Sequence, residues 1–326
     1  MGTQPGGATF SRAGLRGRLA EYVSAERSGR VRLNSAAGAG SPNLTPMQKI
    51  ETIAAMREAA ATLRQSGRRV AFIPTLGALH AGHVSLIRLA RERGEAVVVS
   101  AFVNPLQFGA NEDLAKYPRS PEADAALCER EGVDVLFTPA AAEMFPKNFS
   151  TMVAEERVSK PLCGISRPAL FRGVLTCWLK LLHVVQPDTL VMGEKDPQQV
   201  AVVRKALADL SLPVTVVTGP TVRDADGMAV SARNLYLTPS QREEALAVNR
   251  ALYRAKEMVE GGVRSADRVV AEATHIIGQK RRLRIIYIAV VNRDTMEAMR
   301  EVVPGQCLMA VAYWVDEVRL TDNISL

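Results

Sequence analysis

A chain of 326 residues, 47% hydrophobic and 23% charged, has the balance of a globular protein with one large core or two modest ones. No apolar run reaches the ~18 residues of a membrane span, and none of the four cysteines (Cys128, Cys163, Cys177, Cys307) has a CxxC partner, which argues against a zinc site or disulfide framework and for reduced core thiols in a cytosolic protein. The net charge of +7 raises nucleic-acid binding, but residues 1–46 carry six arginines against Glu21 and Glu26, and the rest of the chain is nearly balanced.

Residues 1–46 are rich in Gly, Ala, Ser and Arg and lack a sustained apolar period, so they read as a disordered leader. Their Arg-rich, acid-poor composition also fits an organelle transit peptide, and a third reading starts the protein at Met47. From Met47, "MQKIETIAAMREAAATLRQSG" has helical spacing and "RVAFIP" (69–74) is strand-like. "HVSLIRLARERG" is helical, and "AVVVSAFV" (96–103) is the continuous apolar run of a buried parallel strand. "PEADAALCEREG" predicts a helix with Ser120 as cap and Pro121 in its first turn. Then come strand "VDVLFTP", the apolar helix "GVLTCWLKLLHVV", strand "TLVMG", helix "PQQVAVVRKALADL" and strand "VTVVT". Strand–helix alternation of this kind predicts an α/β, Rossmann-like parallel sheet covered on both faces over residues 47–221, with ligands at the carboxyl ends of its strands.

The pattern changes near residue 222. A long helix follows Thr238 and Pro239, with Gln241 completing a capping box, and a second helix follows Ser265. The run "QKRRLR" (279–284) reads as a solvated helix end, and "RIIYIAVV", "CLMAVAYW" and "EVRLTDN" as three strands. Helices followed by strands predict a smaller α+β domain over 222–326; no internal repeat is visible.

Four blocks carry polar residues suited to chemistry. In "PTLGALHAGH", His80 and His83 stand three positions apart where a strand hands over to a helix. Helical spacing turns both imidazoles the same way, beside a helix N-terminus that favours phosphate, and Gly82 leaves room for a flat ring. Neutral donors there would stabilise charge developing at phosphorus; taken alone, the short motif is as well explained by two capping or surface histidines. In "FVNPLQFGANEDLAKYPRSPEAD" (102–124), Asn104 and Gln107 bring amides to the next strand end. In "MGEKDPQQV", Gly193 lets backbone approach a ligand, Lys195 offers a point charge, Asp196 caps the next helix ahead of Pro197, and Gln199 lies in that helix's first turn. In "TVRDADGMAVSARNLYL", Ser231 and Arg233 sit in a loop between the domains, read either as a linker or as a basic loop closing on a nucleotide.

In this order and spacing, the four blocks resemble the pantoate–β-alanine ligase family (the pantothenate synthetases) over residues 47–326, including the closing "VRLTDNISL". The resemblance implies a nucleotidyltransferase with HxGH (His80–His83) and KMSKS-like (Val230–Arg233) signatures. It implies ATP, with Mg²⁺ accompanying it, as co-substrate, and pantoate and β-alanine as the other substrates. Pantoate would be activated as pantoyl adenylate with release of pyrophosphate, and β-alanine would then displace AMP. Carried over by position, Leu76, Gly77, Ala78, Leu79, His80, Ala81, Gly82 and His83 belong to the ATP site, with His83 as proton donor and His80 as its phosphate-facing partner. Gly193, Glu194, Lys195 and Asp196 hold ATP, with Lys195 on the phosphates, and Val222, Val230, Ser231, Ala232 and Arg233 complete the nucleotide site. Gln107 binds pantoate near β-alanine, with Asn104 beside it, and Gln199 binds pantoate. No metal held by protein side chains, no nucleic acid and no membrane is expected; a cytoplasmic homodimer is, with organelle targeting by the leader left open.

Four positions depart from the family pattern. Leu76 stands for a common Met, a nearly volume-conserving change, and Ala81 stands for a usually acidic residue in a variable slot. Ala232 stands for a Ser, one hydroxyl worth about 0.5–1.5 kcal/mol if hydrogen-bonded. Leu170, in "RPALFRGV", stands for a His associated with the β-alanine side of the site. These departures motivate two alternatives: an adenylate-forming ligase with altered amine specificity or a slow second step, and a non-catalytic nucleotide- or RNA-binding protein.

Overall fold

The computed structural model describes residues 46–110 and 112–326, so the leader expected over 1–46 lies, but for Pro46, outside the described residues. Six strands form one sheet: β1 (Gln48–Ile50), β2 (Val70–Thr75), β3 (Ala96–Ala101), β4 (Val135–Phe137), β5 (Thr189–Gly193) and β6 (Thr215–Gly219). Their order is β1-β4-β3-β2-β5-β6 and every pairing is parallel. The chain winds outward from β2 through β3 to β4, then returns to lay β5 on the other side of β2. The order therefore reverses between β2 and β5, and their carboxyl ends flank a crevice where loops diverge.

The connecting helices are α1 (Ile53–Gln65), α2 (Ala81–Glu92), α3 (Pro121–Arg130), the short α4 (Ala141–Met144) and α5 (Cys163–Ser166), α6 (Leu170–Val185) and α7 (Pro197–Asp209). Thirteen of the 16 residues of α6 are buried. A helix apolar all round has no solvent face, so α6 is the centre of the main core, with Leu175, Leu181 and Leu182 beside Phe72, Leu190 and Val202. Each such side chain contributes about 1.5–3 kcal/mol by leaving water.

The helix expected from Met47 begins only at Ile53. Thr52 Oγ1 accepts the Ala55 N–H at 3.3 Å and starts it there. Residues 48–50 instead add to the open edge of β4, a partner that local periodicity cannot reveal. Two further caps differ: Ser120 and Asp196 occupy N-cap positions, but neither side chain caps its helix. Thr238 and Gln241 do form the expected box at the start of α8 (Pro239–Glu260), and Ser265 caps α9 (Ala266–Gly278).

The three closing strands are β7 (Leu283–Asn292), β8 (Cys307–Val315) and β9 (Val318–Ser325), antiparallel in the order β7-β8-β9. The central β8 is buried on both faces: Leu308 and Ala310 join the α6 core, while Met309, Val311 and Tyr313 pack with α8 and α9. The two parts thus share a core that the change of pattern near residue 222 does not disclose. Three of the four cysteines are buried thiols as expected; Cys163 is only half-buried, its Sγ 3.2 Å from the Tyr287 hydroxyl.

Candidate active site

The loop leaving β2 makes a tight left-handed turn, with φ +78° at Gly77 and +50° at Ala78. Thr75 Oγ1 accepts the Gly77 N–H at 3.1 Å, and the buried Asp124 carboxylate accepts the Ala78 and Leu79 N–H groups at 2.9 and 2.8 Å. These amides are therefore turned into the protein and do not seat a phosphate. In the first turn of α2, the N–H groups of Ala81 and Gly82 are left without a partner among the described residues. His80 is the N-cap of α2 and His83 its third residue, and their rings lie 4.0 Å apart. The His80 backbone N–H donates to His83 Nδ1 at 3.2 Å. An Nδ1 that accepts leaves the proton of a neutral ring on Nε2. The space that Gly82 leaves is filled by a protein ring: a Cβ there would stand 3.1 Å from His80 Nδ1.

Both rings favour the neutral form. Burial lowers the His83 pKa to about 4. Burial, then the nearby His83 and Lys195, lower that of His80 well below its ordinary value. This has a consequence for stability: as pH falls, the unfolded chain takes up these protons first, so stability is full above the unfolded pKa of ~6.5 and declines toward about 4. The expected loss from His83 is on the order of 1–3 kcal/mol. Urea midpoints taken at about pH 7.5 and about pH 5 should differ less in His83→Gln than in the parent, and equal slopes would refute the neutral ring.

The loop after β3 turns at Pro105–Gln107, capped by Asn104, whose Oδ1 accepts the Leu106 N–H at 3.1 Å. Asn104 is 1% exposed, and its amide donates to Gly173 O of α6 at 3.1 Å and to Gln107 Oε1 at 3.2 Å. Asn104 thus fixes the wall that presents Gln107. Arg167 secures the same wall: its guanidinium forks onto Glu112, with Nε 2.6 Å from Oε1, and donates to Gln107 O at 3.0 Å. Burial would raise the Glu112 carboxyl, but the bond to Arg167 and its charge outweigh it and hold the pKa below the ordinary range.

At the end of β5, Glu194 turns to β6, accepting the Thr218 hydroxyl at 2.9 Å. Lys195 Nζ lies 3.7 Å from Asp196 Oδ1 and 3.4 Å from Thr321 Oγ1 of β9. Asn323 donates both amide hydrogens to Glu194 O and Lys195 O, each at 3.0 Å, so the last strand props the loop that carries the lysine. Neighbouring Asp322 forks onto Arg223 at 2.8 and 2.9 Å. Of the two adjacent glutamines, Gln198 is buried and pins Val158 O and Pro161 O, Gln199 is half-buried, and both lie on the cleft. In the 222–233 loop, Val230 N–H bonds Val222 O at 3.0 Å, and Ser231 Oγ accepts the Arg233 N–H at 3.3 Å. The Arg233 guanidinium forks onto Asp113 at 3.0 Å and lies over the Tyr117 ring.

These segments meet around one cleft of about 2080 Å³, wide enough for a nucleotide and a small acid together. Leu76, His80, Gly82, His83, Asn104, Gln107, Gly193, Lys195, Asp196, Gln199, Val222, Val230, Ser231, Ala232 and Arg233 line it. Gly77, Ala78, Leu79, Ala81 and Glu194 do not; their part is to shape the turns. Leu170, the first residue of α6, reaches the cleft wall as an apolar side chain beside Phe171 and Trp178. Sequence reasoning missed Glu112, Asp113, Tyr117, Asp124 and Arg167. The first four lie within a block already singled out, and for Glu112, Asp113 and Tyr117 proximity to Gln107 was a usable signal. Asp124 closes that block, but nothing in the spacing of its helix shows that its carboxylate reaches the loop after β2.

A sequence model described as Pantoate-beta-alanine ligase matches residues 48–325. The pantothenate synthetase of Heliobacterium modesticaldum is 47% identical over 278 residues, covering 85% of this chain and 99% of that one. The crystal structure of pantothenate synthetase from Thermus thermophilus superposes with a TM-score of 0.81 at 40% identity, over 86% of this chain and 99% of that one. A pantoate-β-alanine ligase from Francisella tularensis, complexed with β,γ-ATP and β-alanine, superposes with a TM-score of 0.73 at 29% identity, over 86% and 97% of the two chains.

Proposed function

The chain belongs to the pantoate–β-alanine ligase family, and we propose that the cleft between the carboxyl ends of β2 and β5 is where its own residues carry out that chemistry. The protein is an ATP-dependent ligase that joins pantoate to β-alanine. In the first step a pantoate carboxylate oxygen bonds the α-phosphorus of ATP, the bond to the bridging oxygen breaks, and pyrophosphate leaves. In the second the amine of β-alanine bonds the acyl carbon, AMP leaves, and the nitrogen loses its proton. A carboxylate is a poor acyl donor until its oxygen is part of so good a leaving group. The protein's task is to align the partners, meet the charge that builds on the phosphates, and keep water from the adenylate.

One observation carries the assignment of roles: the bond from His80 N–H to His83 Nδ1, which leaves a neutral ring with its Nε2 proton in a cleft shared with Lys195 and Ser231. His83 donates that proton to phosphate oxygens as charge accumulates, and His80 faces the same phosphates. Lys195 supplies a fixed positive charge. Gln107 and Gln199 hold pantoate, Gln107 beside the amine, and Arg233 and Ser231 close over the nucleotide. Mg²⁺ enters with the triphosphate: among the described residues no group of three or more His, Cys, Asp or Glu could cage an ion, and Mg²⁺ is commonly held by phosphate oxygens and water. On this reading residues 47–221 bind the substrates and 222–326 cover them, in a homodimer. Sedimentation at twice the monomer mass tests the last point. Neither an altered amine nor a non-catalytic role is favoured by a family match that spans both parts.

The test leaves out each reactant in turn. Pyrophosphate exchange into ATP should require pantoate but not β-alanine, and AMP release should accelerate on adding β-alanine. Exchange that ignores pantoate, or AMP release that ignores β-alanine, would overturn the reading.

A further inference from the structure

We propose that Asp124, which lies outside the cleft, is the positioning residue that holds the catalytic histidine turn in its working shape. The inference rests on the ligase reading above. The turn needs such a support. Two successive residues, Gly77 and Ala78, have positive φ, and for alanine that conformation is intrinsically unfavourable. It persists only where surroundings over-determine it. The surroundings here are Thr75, whose Oγ1 accepts the Gly77 N–H, and one carboxylate that holds the two amides after it. Each Asp124 oxygen accepts one amide of the turn: Oδ2 that of Ala78, Oδ1 that of Leu79. Ser120 Oγ donates to Oδ1 at 3.1 Å, fixing the carboxylate's rotation.

The fit is tight as well as bonded. A Cβ at residue 77 would stand 3.1 Å from Asp124 Oδ2, so a glycine there lets the carboxylate close on the turn. Asp124 is only 4% exposed and, among the described residues, pairs with no cation through a salt bridge, so these three donors are its support, and burial outweighs them enough to raise its pKa above the ordinary carboxyl value. Three donors converging on a buried carboxylate make a strong, directional clamp. The clamp sits immediately before His80, whose backbone N–H sets the His83 tautomer. A shift of the Leu79–His80 peptide therefore turns the Nε2 proton away from the place where phosphate charge develops. Misplacement of this size costs rate more than affinity, because it weakens bonds made fully only in the transition state.

The experiment separates the two half-reactions in Asp124→Asn, which keeps the shape and one acceptor but sets an NH₂ against an amide N–H. Pantoate-dependent pyrophosphate exchange should fall on the order of 10–100-fold in kcat, with the KM for pantoate within about 3-fold. Attack of β-alanine on preformed pantoyl adenylate, which requires no pentavalent phosphorus stabilised by the histidines, should stay within about 3-fold. Ser120→Ala should reduce the exchange less, on the order of 2–5-fold, in the same step. Exchange by Asp124→Asn at the parental rate, or equal loss in both half-reactions, would overturn the proposal, the second result marking a purely structural residue. Absence of exchange in the parent protein would instead overturn the ligase reading.

Discussion

His83→Ala should slow adenylation on the order of 10²–10³-fold, the usual loss when a preorganised donor to a developing oxyanion is removed. ATP affinity should change by less than about 5-fold, since the ground-state triphosphate keeps Lys195 and the remaining cleft contacts. The distinction follows from the charge state. A protonated imidazole would attract ATP before reaction and its loss would raise the dissociation constant. The ring here is neutral, with its pKa lowered to about 4 by burial, so it contributes a dipole and a proton but no net charge. His83→Gln, which can place an N–H near the same point, should recover part of the rate, and His83→Ala with unchanged kcat would remove this residue from the mechanism. The measurement is pyrophosphate exchange at saturating pantoate, beside ATP binding by calorimetry.

Gly173→Ala should strongly disturb the turn that presents Gln107 to the cleft. Gly173 lies inside α6, where glycine is ordinarily a weakness relative to alanine of roughly 0.5–1 kcal/mol. Here the absent side chain lets the Pro105–Gln107 turn lie directly on the helix. A Cβ would fall 2.0 Å from Leu106 O and 2.8 Å from Gln107 N, and both are backbone atoms that cannot swing aside. Helix and turn must separate, breaking the Asn104 bond to Gly173 O and moving Gln107. A stability loss of about 1–3 kcal/mol is expected, as for overpacking elsewhere. The pantoate KM should rise on the order of 10-fold or more, the equivalent of one displaced hydrogen-bonding side chain. Gly278→Ala is the control: it ends α9 with nothing within 4 Å of its Cβ and should be neutral or slightly stabilising. Thermal midpoints of the two variants that coincide would refute the close approach.

The Asn323 bonds to Glu194 O and Lys195 O explain why the two parts of the chain do not act separately. The loop that carries Lys195 is completed by a strand more than a hundred residues later. A change that loosened β9 would reach the site through that amide and through the Asp322–Arg223 pair.

The sequence by itself determined the elements and the chemistry. Apolar runs with period two or none, set against runs of helical period, marked β2 through β6 and their helices. Turn residues marked the strand ends followed by His80, His83, Gln107 and Lys195, and the loop between the domains that carries Arg233. These signals are local: a helix or strand shows in the spacing of its own residues. Tertiary structure alone decided the rest, because each remaining feature depends on a partner distant in the chain. Residues 48–50 became a strand because β4 offered an edge. Ala78 and Leu79 faced inward because Asp124 accepts their amides, which leaves Ala81 and Gly82, among the described residues, with the free N–H groups at the start of α2. Of Gln198 and Gln199, identical in type, adjacent and both on the cleft, only Gln198 was tied down by the loop at 158–161. Burial, which sets the His83 proton, is a sum over neighbours from several segments, and no window along the chain contains them.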